Sequence, residues 1–211
     1  IKTYSGEGDR VYNTLQAAID AFGSNEDDWM IELLADWKES VTIPMGKSVN
    51  LNLPYTLSGN NGKDTITIET GATLELWFNN DNGTNPQVIG ASGQAVINNA
   101  GTFTVAYPAN LKGDTVLKNT AGTVTLNNGK YEGDFEITGG TVEVNAGAMV
   151  TDPNEAMTFR FSSYVWCETK DVGWYQCATP VATIGGKNYS NLQDAIDAVE
   201  GEGAVKIVYP F

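Results

Sequence analysis

Gly71-Ala-Thr-Leu-Glu-Leu76, Gly101-Thr-Phe-Thr-Val105, Gly122-Thr-Val-Thr-Leu126 and Gly140-Thr-Val-Glu-Val144 are four versions of one phrase. In each, apolar and polar residues alternate with a period of two, the spacing that sends side chains to opposite faces of a β-strand. A second apolar pair precedes each glycine: Ile66 and Ile68, Val96 and Ile97, Val116 and Leu117, Phe135 and Ile137. The recurring unit is strand, glycine turn, strand. Successive leading glycines are 30, 21 and 18 residues apart, the scale of one coil of a β-solenoid with loops of varying length. A β-sandwich does not need the same phrase in the same place each time.

Working outward, the period of two begins at Val49-Asn-Leu-Asn-Leu53 and continues through Thr65-Ile-Thr-Ile-Glu69, with turns marked by Gly and Asn clusters such as Asn98-Asn99, Asn127-Asn128-Gly129 and Gly139-Gly140. Beyond the strands, one phrase occurs twice: Tyr12-Asn-Thr-Leu-Gln-Ala-Ala-Ile-Asp-Ala21 and Tyr189-Ser-Asn-Leu-Gln-Asp-Ala-Ile-Asp-Ala198. Leu15, Ala18, Ile19 and Phe22 form one helical stripe, and Leu192, Ala195, Ile196 and Val199 repeat it. Asn13 or Thr14 suits the first N-cap, and Gly23 its stop. An apolar run follows each copy, Trp29-Met-Ile-Glu-Leu-Leu34 and Ala204-Val-Lys-Ile-Val208. The expected organisation is an N-terminal segment with a helix over 1–28, coils over 29–152, an irregular extension rich in aromatics and cysteine over 153–180, and a terminal cap or the start of a second module over 181–211. The second possibility implies a piece of a longer tandem protein.

With 211 residues, 41% of them hydrophobic, the chain can bury a substantial core. Acidic residues number 26 against 12 basic, for a formal charge of −14. Nucleic acid and anionic membrane surfaces select for clustered Lys and Arg, so neither is an expected partner. No apolar run reaches the roughly 18 residues of a membrane-spanning helix.

The phrase Tyr12-x-x-Leu-Gln-x-Ala-Ile-Asp-Ala21, followed by an apolar strand, Val41-Thr-Ile-Pro44 and Lys47-Ser-Val-Asn-Leu-Asn-Leu53, resembles the opening of right-handed parallel β-helix modules of the pectin-lyase-like class. Such modules occur in repetitive bacterial surface proteins. The resemblance covers residue 12 to about 150 and implies an all-β, right-handed parallel β-helix with an N-terminal capping helix and a similar helix near the C-terminus. It also implies an exported, cell-surface location. It leaves activity open, because this fold carries polysaccharide lyases, glycoside hydrolases and non-enzymatic adhesins alike. Ile66, Ile68, Leu74, Leu76, Phe103, Val105, Val124, Leu126, Val142 and Val144 are the expected inward column, with the helix at 12–22 as its lid.

The absence of histidine excludes Ser-His-Asp, Cys-His and His-metal arrangements, and there is no phosphate-binding glycine loop. Neither cofactor nor metal is expected. Asn79-Asn-Asp-Asn-Gly-Thr84 faintly resembles a calcium loop, but Phe78 occupies the leading acidic position. A carboxylate-dependent polysaccharide-degrading enzyme of the pectin-lyase-like class, lyase or glycoside hydrolase, stays open as the alternative function. On the stacking scheme, however, Glu75 and Glu143 stand several coils apart with Thr104 and Thr125 between them. The lyase chemistry of this fold class combines calcium-binding carboxylates with an Arg or Lys base, and Arg10 and Arg160 lie in no such motif. The outward Thr-x-Thr pairs are interrupted by Glu75 and Glu143, which spoils a flat threonine array, and β-propensity explains them.

Aromatics are the remaining sign of recognition. Trp77, Trp166, Trp174 and Tyr175 are the candidate ligand-binding residues, for a glycan or a surface protein, since such side chains stack on sugars and anchor interfaces. Cys167 and Cys177 are expected to form a small disulfide if the protein is exported, two buried thiols being the alternative. The expected function is a non-catalytic extracellular module with a structural or adhesive role, in contact with neighbouring modules of its own chain.

Overall fold

The computed structural model describes residues 1–23, 27–78, 86–106, 108–199 and 204–208. Among these residues the protein is mostly β, with two sheets built largely from parallel pairs and two short helices, α1 (Leu15–Ala21) and α2 (Leu192–Asp197). Among the described residues no helix is long and apolar enough to cross a membrane. The polar stretch 79–84, whose likeness to a calcium loop fails at Phe78, lies outside the described residues.

Seven strands of the first sheet run parallel, from Asp28–Glu32 through Ser48–Asn52, Thr73–Trp77, Thr102–Val105, Thr123–Leu126 and Thr141–Val144 to Met157–Phe159. Between consecutive members the chain visits the second sheet. It leaves Ser48–Asn52, for example, to form Leu57–Ser58 and Ile66–Ile68, and returns one strand further on at Thr73–Trp77. Each circuit therefore advances both sheets by one strand. The four phrases stack in register: Thr73, Thr102, Thr123 and Thr141 are successive partners. Met157–Phe159 carries the pattern past residue 152, where the repeated phrase is no longer recognisable.

Alternation supplies the core. Val49, Leu74, Phe103, Val124, Val142 and Met157 form one register column, and all six are buried. Every member of the expected inward set is buried as well. At about 1.5–3 kcal/mol for each large side chain, such columns are the main source of stability. The second sheet contributes Leu57, Val88, Leu111, Tyr131 and Val150. Burial pushes the Tyr131 hydroxyl pKa upward, and that hydroxyl donates to Asn127 O at 2.8 Å.

Helix α1 lies over Val41–Ile43 with Leu15, Ala18 and Ile19 buried. Thr14 is its N-cap, accepting from Ala17 N–H at 3.1 Å, and Gly23 at φ +75° follows its C-terminus. Its attachment to the first circuit is specific. Gln16 donates to Thr42 O at 2.9 Å and accepts from Thr42 N–H at 2.8 Å, so one side-chain amide satisfies an exposed strand edge as a neighbouring strand would. Glu39 in return accepts from Leu15 N–H at 2.7 Å and Gln16 N–H at 3.1 Å, where the helix leaves its first amides without partners.

At the opposite end, the antiparallel hairpin Val165–Glu168/Tyr175–Ala178 pairs with Ala148–Val150 and folds back over the column. Trp166, Tyr175 and Tyr164 pack on the core from this side. This hairpin, rather than α2, covers that end.

Candidate functional site

At one end of the first sheet the strand Lys2–Ser5 runs antiparallel to both neighbours, Asp28–Glu32 on one side and the edge strand Arg10–Val11 on the other. Tyr4 faces Met30 but Ser5 faces Asp28, so Trp29 is an extra residue in a β-bulge. A bulge re-aims a side chain, and here it places an indole outside: Trp29 is 53% exposed and stacks on Tyr4 at 5.3 Å with the planes tilted by 37°. The Tyr4 hydroxyl donates to Glu32 Oε1 at 2.9 Å, and Asn52 Nδ2 donates to Glu32 Oε2 at 2.8 Å. The bond to Glu32 is the largest cause raising the Tyr4 pKa. Lys2 Nζ lies 4.3 Å from the Tyr4 ring centroid and 2.6 Å from Asp9. Glu32, Asn52 and Trp77 are successive register partners, which brings the predicted Trp77 to the end of this row.

The result is a lateral platform of aromatic faces and a carboxylate, with the buried Asn52 amide holding the carboxylate in place. Aromatic faces pack on apolar ring surfaces while the polar groups orient them, which is the composition of a sugar or peptide contact. Both Glu32 oxygens are already engaged, so its role there is orientation. Tyr4 and Trp29 are not among the residues expected from the sequence. The two adjacent apolar residues Trp29-Met30, breaking the alternation that resumes at Ile31, are the only local sign of the bulge.

The other predicted residues do not join Trp77. Trp166 packs on Phe159 at 5.4 Å and Tyr175 packs on the core, so both help to close the column. Trp174 lies in the hairpin turn beneath Lys130 Nζ, 5.4 Å from its ring centroid. Four strand steps of about 4.8 Å separate Thr73–Trp77 from Met157–Phe159, roughly 19 Å.

The expected disulfide is replaced by two free, buried thiols. Cys167 faces Gln176 and Cys177 faces Trp166, so the register offsets the two cysteines by one residue and turns them to opposite faces of the hairpin. Cys177 Sγ points to Val144 O at 3.9 Å, and Cys167 Sγ to Ala178 O at 3.9 Å. Burial raises the thiol of Cys167 to about 11 and that of Cys177 to about 12.

The carboxylates are dispersed. Glu75, Thr104, Thr125 and Glu143 occupy one outward row in that order. Three strand steps amount to about 14 Å, beyond the roughly 5–9.5 Å between paired glycosidase carboxylates. Arg10 is committed to Asp28, which is the largest cause raising its pKa, and Arg160 lies 5.8 Å from the Phe161 ring centroid. Among the described residues no group of three or more His, Cys, Asp or Glu could hold a metal ion. A cleft of about 700 Å³ between the hairpin and residues 184–198 contains Glu168, Lys187, Asp194 and Asp197, with Lys187 paired to Glu168 at 3.0 Å.

Comparison with protein families, with curated proteins and with solved structures finds no match. The functional reading therefore rests on this chain's own geometry.

Proposed function

We propose that the protein is a right-handed parallel β-helix serving as a non-catalytic structural and adhesive module of an exported bacterial surface protein. The carrying observation is the in-register ladder from Ile31 to Phe159, which advances one strand per circuit in both sheets and has a lid at each end. Such a body is a rigid spacer whose outer faces are free to carry contacts. The wide separation of Glu75 and Glu143 supports a non-enzymatic role.

Contact with a glycan or a surface protein is assigned to the Tyr4–Trp29–Glu32–Asn52–Trp77 platform, because the bulge exposes an indole that regular alternation would turn inward. Incubation with a panel of acidic and neutral polysaccharides tests the non-catalytic reading: chain shortening of any of them would end it. A glycan and cell-surface binding screen with Trp29→Ala tests the platform. Loss of the wild-type signal is expected, and binding that survives the substitution removes the assignment.

A further inference from the structure

The described residues within 1–33 and 181–208 fold alike. Each is a hairpin, a short helix, and a strand that returns antiparallel to the first strand of that hairpin. Lys2 lies opposite Val11 on one side and Glu32 on the other, and Thr183 lies opposite Asn188 and Lys206 in the same way. This register matches Tyr12 to Tyr189, α1 to α2, and Ile31 and Leu33 to Val205 and Ile207.

Their surroundings differ. Leu15, Ile19, Ile31 and Leu33 are fully buried, whereas Leu192 is 41%, Ile196 48% and Ile207 52% exposed. Ala195, on the flank of α2 facing its own hairpin, is as buried as Ala18. Among the described residues, the second unit therefore has its internal packing but leaves half-open the face that α1 turns to the first circuit.

A polar contact repeats the difference. Gln16 Nε2 donates to Asp20 Oδ1 at 2.8 Å, and the same amide engages both backbone groups of Thr42. Gln193 Nε2 donates to Asp197 Oδ1 at 2.7 Å, one helical turn on as in the first copy. No counterpart of Thr42 meets Gln193, and none of Glu39 meets the start of α2, among the described residues.

We infer that the face made by Leu192, Gln193, Ile196 and Ile207 is the seat of a second circuit of parallel β-strands. Its occupant has the chemistry that Glu39 and Val41–Ile43 offer α1: an open strand edge for the Gln193 amide, inward aliphatic side chains over Leu192 and Ile196, and a carboxylate at the first amides of α2. The first unit carries that interface within this same chain. This rests on the parallel-coil reading of the fold; polysaccharide cleavage would end the non-catalytic reading without altering exchange at α2.

Grafting residues 35–178 directly after Val208, which stands where Leu34 stands in the first unit, supplies such a circuit. Hydrogen exchange of the 192–197 amides should slow roughly tenfold or more in the graft, and Gln193→Ala should reverse part of that protection. Unchanged exchange beside a graft whose own strands are protected overturns the inference. The ungrafted chain gives an independent arm that does not require the graft to fold. There, Leu192→Ser with Ile196→Ser should leave the Tm nearly unchanged, while Leu15→Ser with Ile19→Ser lowers it sharply. Equal losses would mean that the α2 face is already covered and would overturn the proposal. Protection of α2 that rises with protein concentration would assign the face to a second copy instead, and would overturn it too.

Discussion

Asn99 donates its side-chain amide to Asn119 Oδ1 at 2.8 Å, and neither residue touches solvent. They stack in a column otherwise formed by Ile43, Ile68 and Ile137, an amide pair inside an aliphatic row. Asn119 also donates to Gly139 O at 2.7 Å, and Asn99 accepts from Gly101 N–H at 3.2 Å, so the pair fastens the glycine turns of successive circuits. Alanine at 119 removes one of the three acceptors of the Asn99 amide and the side-chain donor to the Gly139 carbonyl, and leaves a void in the column; each lost hydrogen bond costs about 1–2 kcal/mol. Urea unfolding of Asn119→Ala should show a loss of about 2–4 kcal/mol. A double-mutant cycle with Asn99→Ala should give a coupling of about 0.5–3 kcal/mol; strict additivity would mean that the two side chains act separately.

The same turns make a second prediction. Gly122 has φ +75°, and a Cβ there would lie 1.8 Å from Gly101 O. Gly93 has a similar φ of +70° but open space around it. Gly93→Ala should therefore cost only the left-handed backbone term, about 1–2 kcal/mol. Gly122→Ala must also push one circuit away from the next, and should cost more than about 4 kcal/mol. Thermal melts of the two variants separate backbone strain from stacking distance, and equal losses would refute the steric account.

Much of the body is legible in the sequence because strand alternation is local. Thr102, Thr123 and Thr141 announce their register by recurring in one phrase, and the order Glu75, Thr104, Thr125, Glu143 follows from stacking alone. Features that depend on a partner distant in the chain are not legible. Asn99 reads as turn punctuation until its circuit is placed beside that of Asn119. The bulge at Trp29 arises from pairing with Lys2–Ser5, so its exposed indole escapes a reading by alternation. The ten-residue spacing of Cys167 and Cys177 permits a hairpin bridge. Only the observed register, Cys167 opposite Gln176, turns the two thiols apart.

One carboxylate ties down the start of the lid. Glu39 accepts from Leu15 N–H, Gln16 N–H and Trp37 Nε1–H, joining α1 to the first circuit. Glu39→Gln loses the charge at the helix start and turns one of the two accepting oxygens into an amide NH2 that faces an N–H donor, for about 1–2 kcal/mol. Glu39→Ala loses all three bonds, for about 2–3 kcal/mol, and should speed exchange of the Leu15 and Gln16 amides while leaving strands Thr123–Leu126 and Thr141–Val144 protected. Uniform loss of protection would show that the lid and the column unfold as one.

The buried thiols set an alkaline limit. Cys167 and Cys177 start from an ordinary value of 9.0 and are raised by burial to about 11 and about 12. Below 9.0 both thiols are protonated whether the chain is folded or not, and they impose no pH dependence. As pH rises through 9.0, the unfolded chain ionises them while the folded chain holds them neutral, so unfolding gains favour until the folded values are passed. Stability should fall between about pH 9 and pH 12, and Cys167→Ala with Cys177→Ala should flatten that part of the curve. In the same window, the native protein should react with iodoacetamide far more slowly than the urea-unfolded chain, because the reactive thiolate is scarce in the folded state. Rapid labelling of either cysteine in the native protein at about pH 9 would contradict its burial in the hairpin.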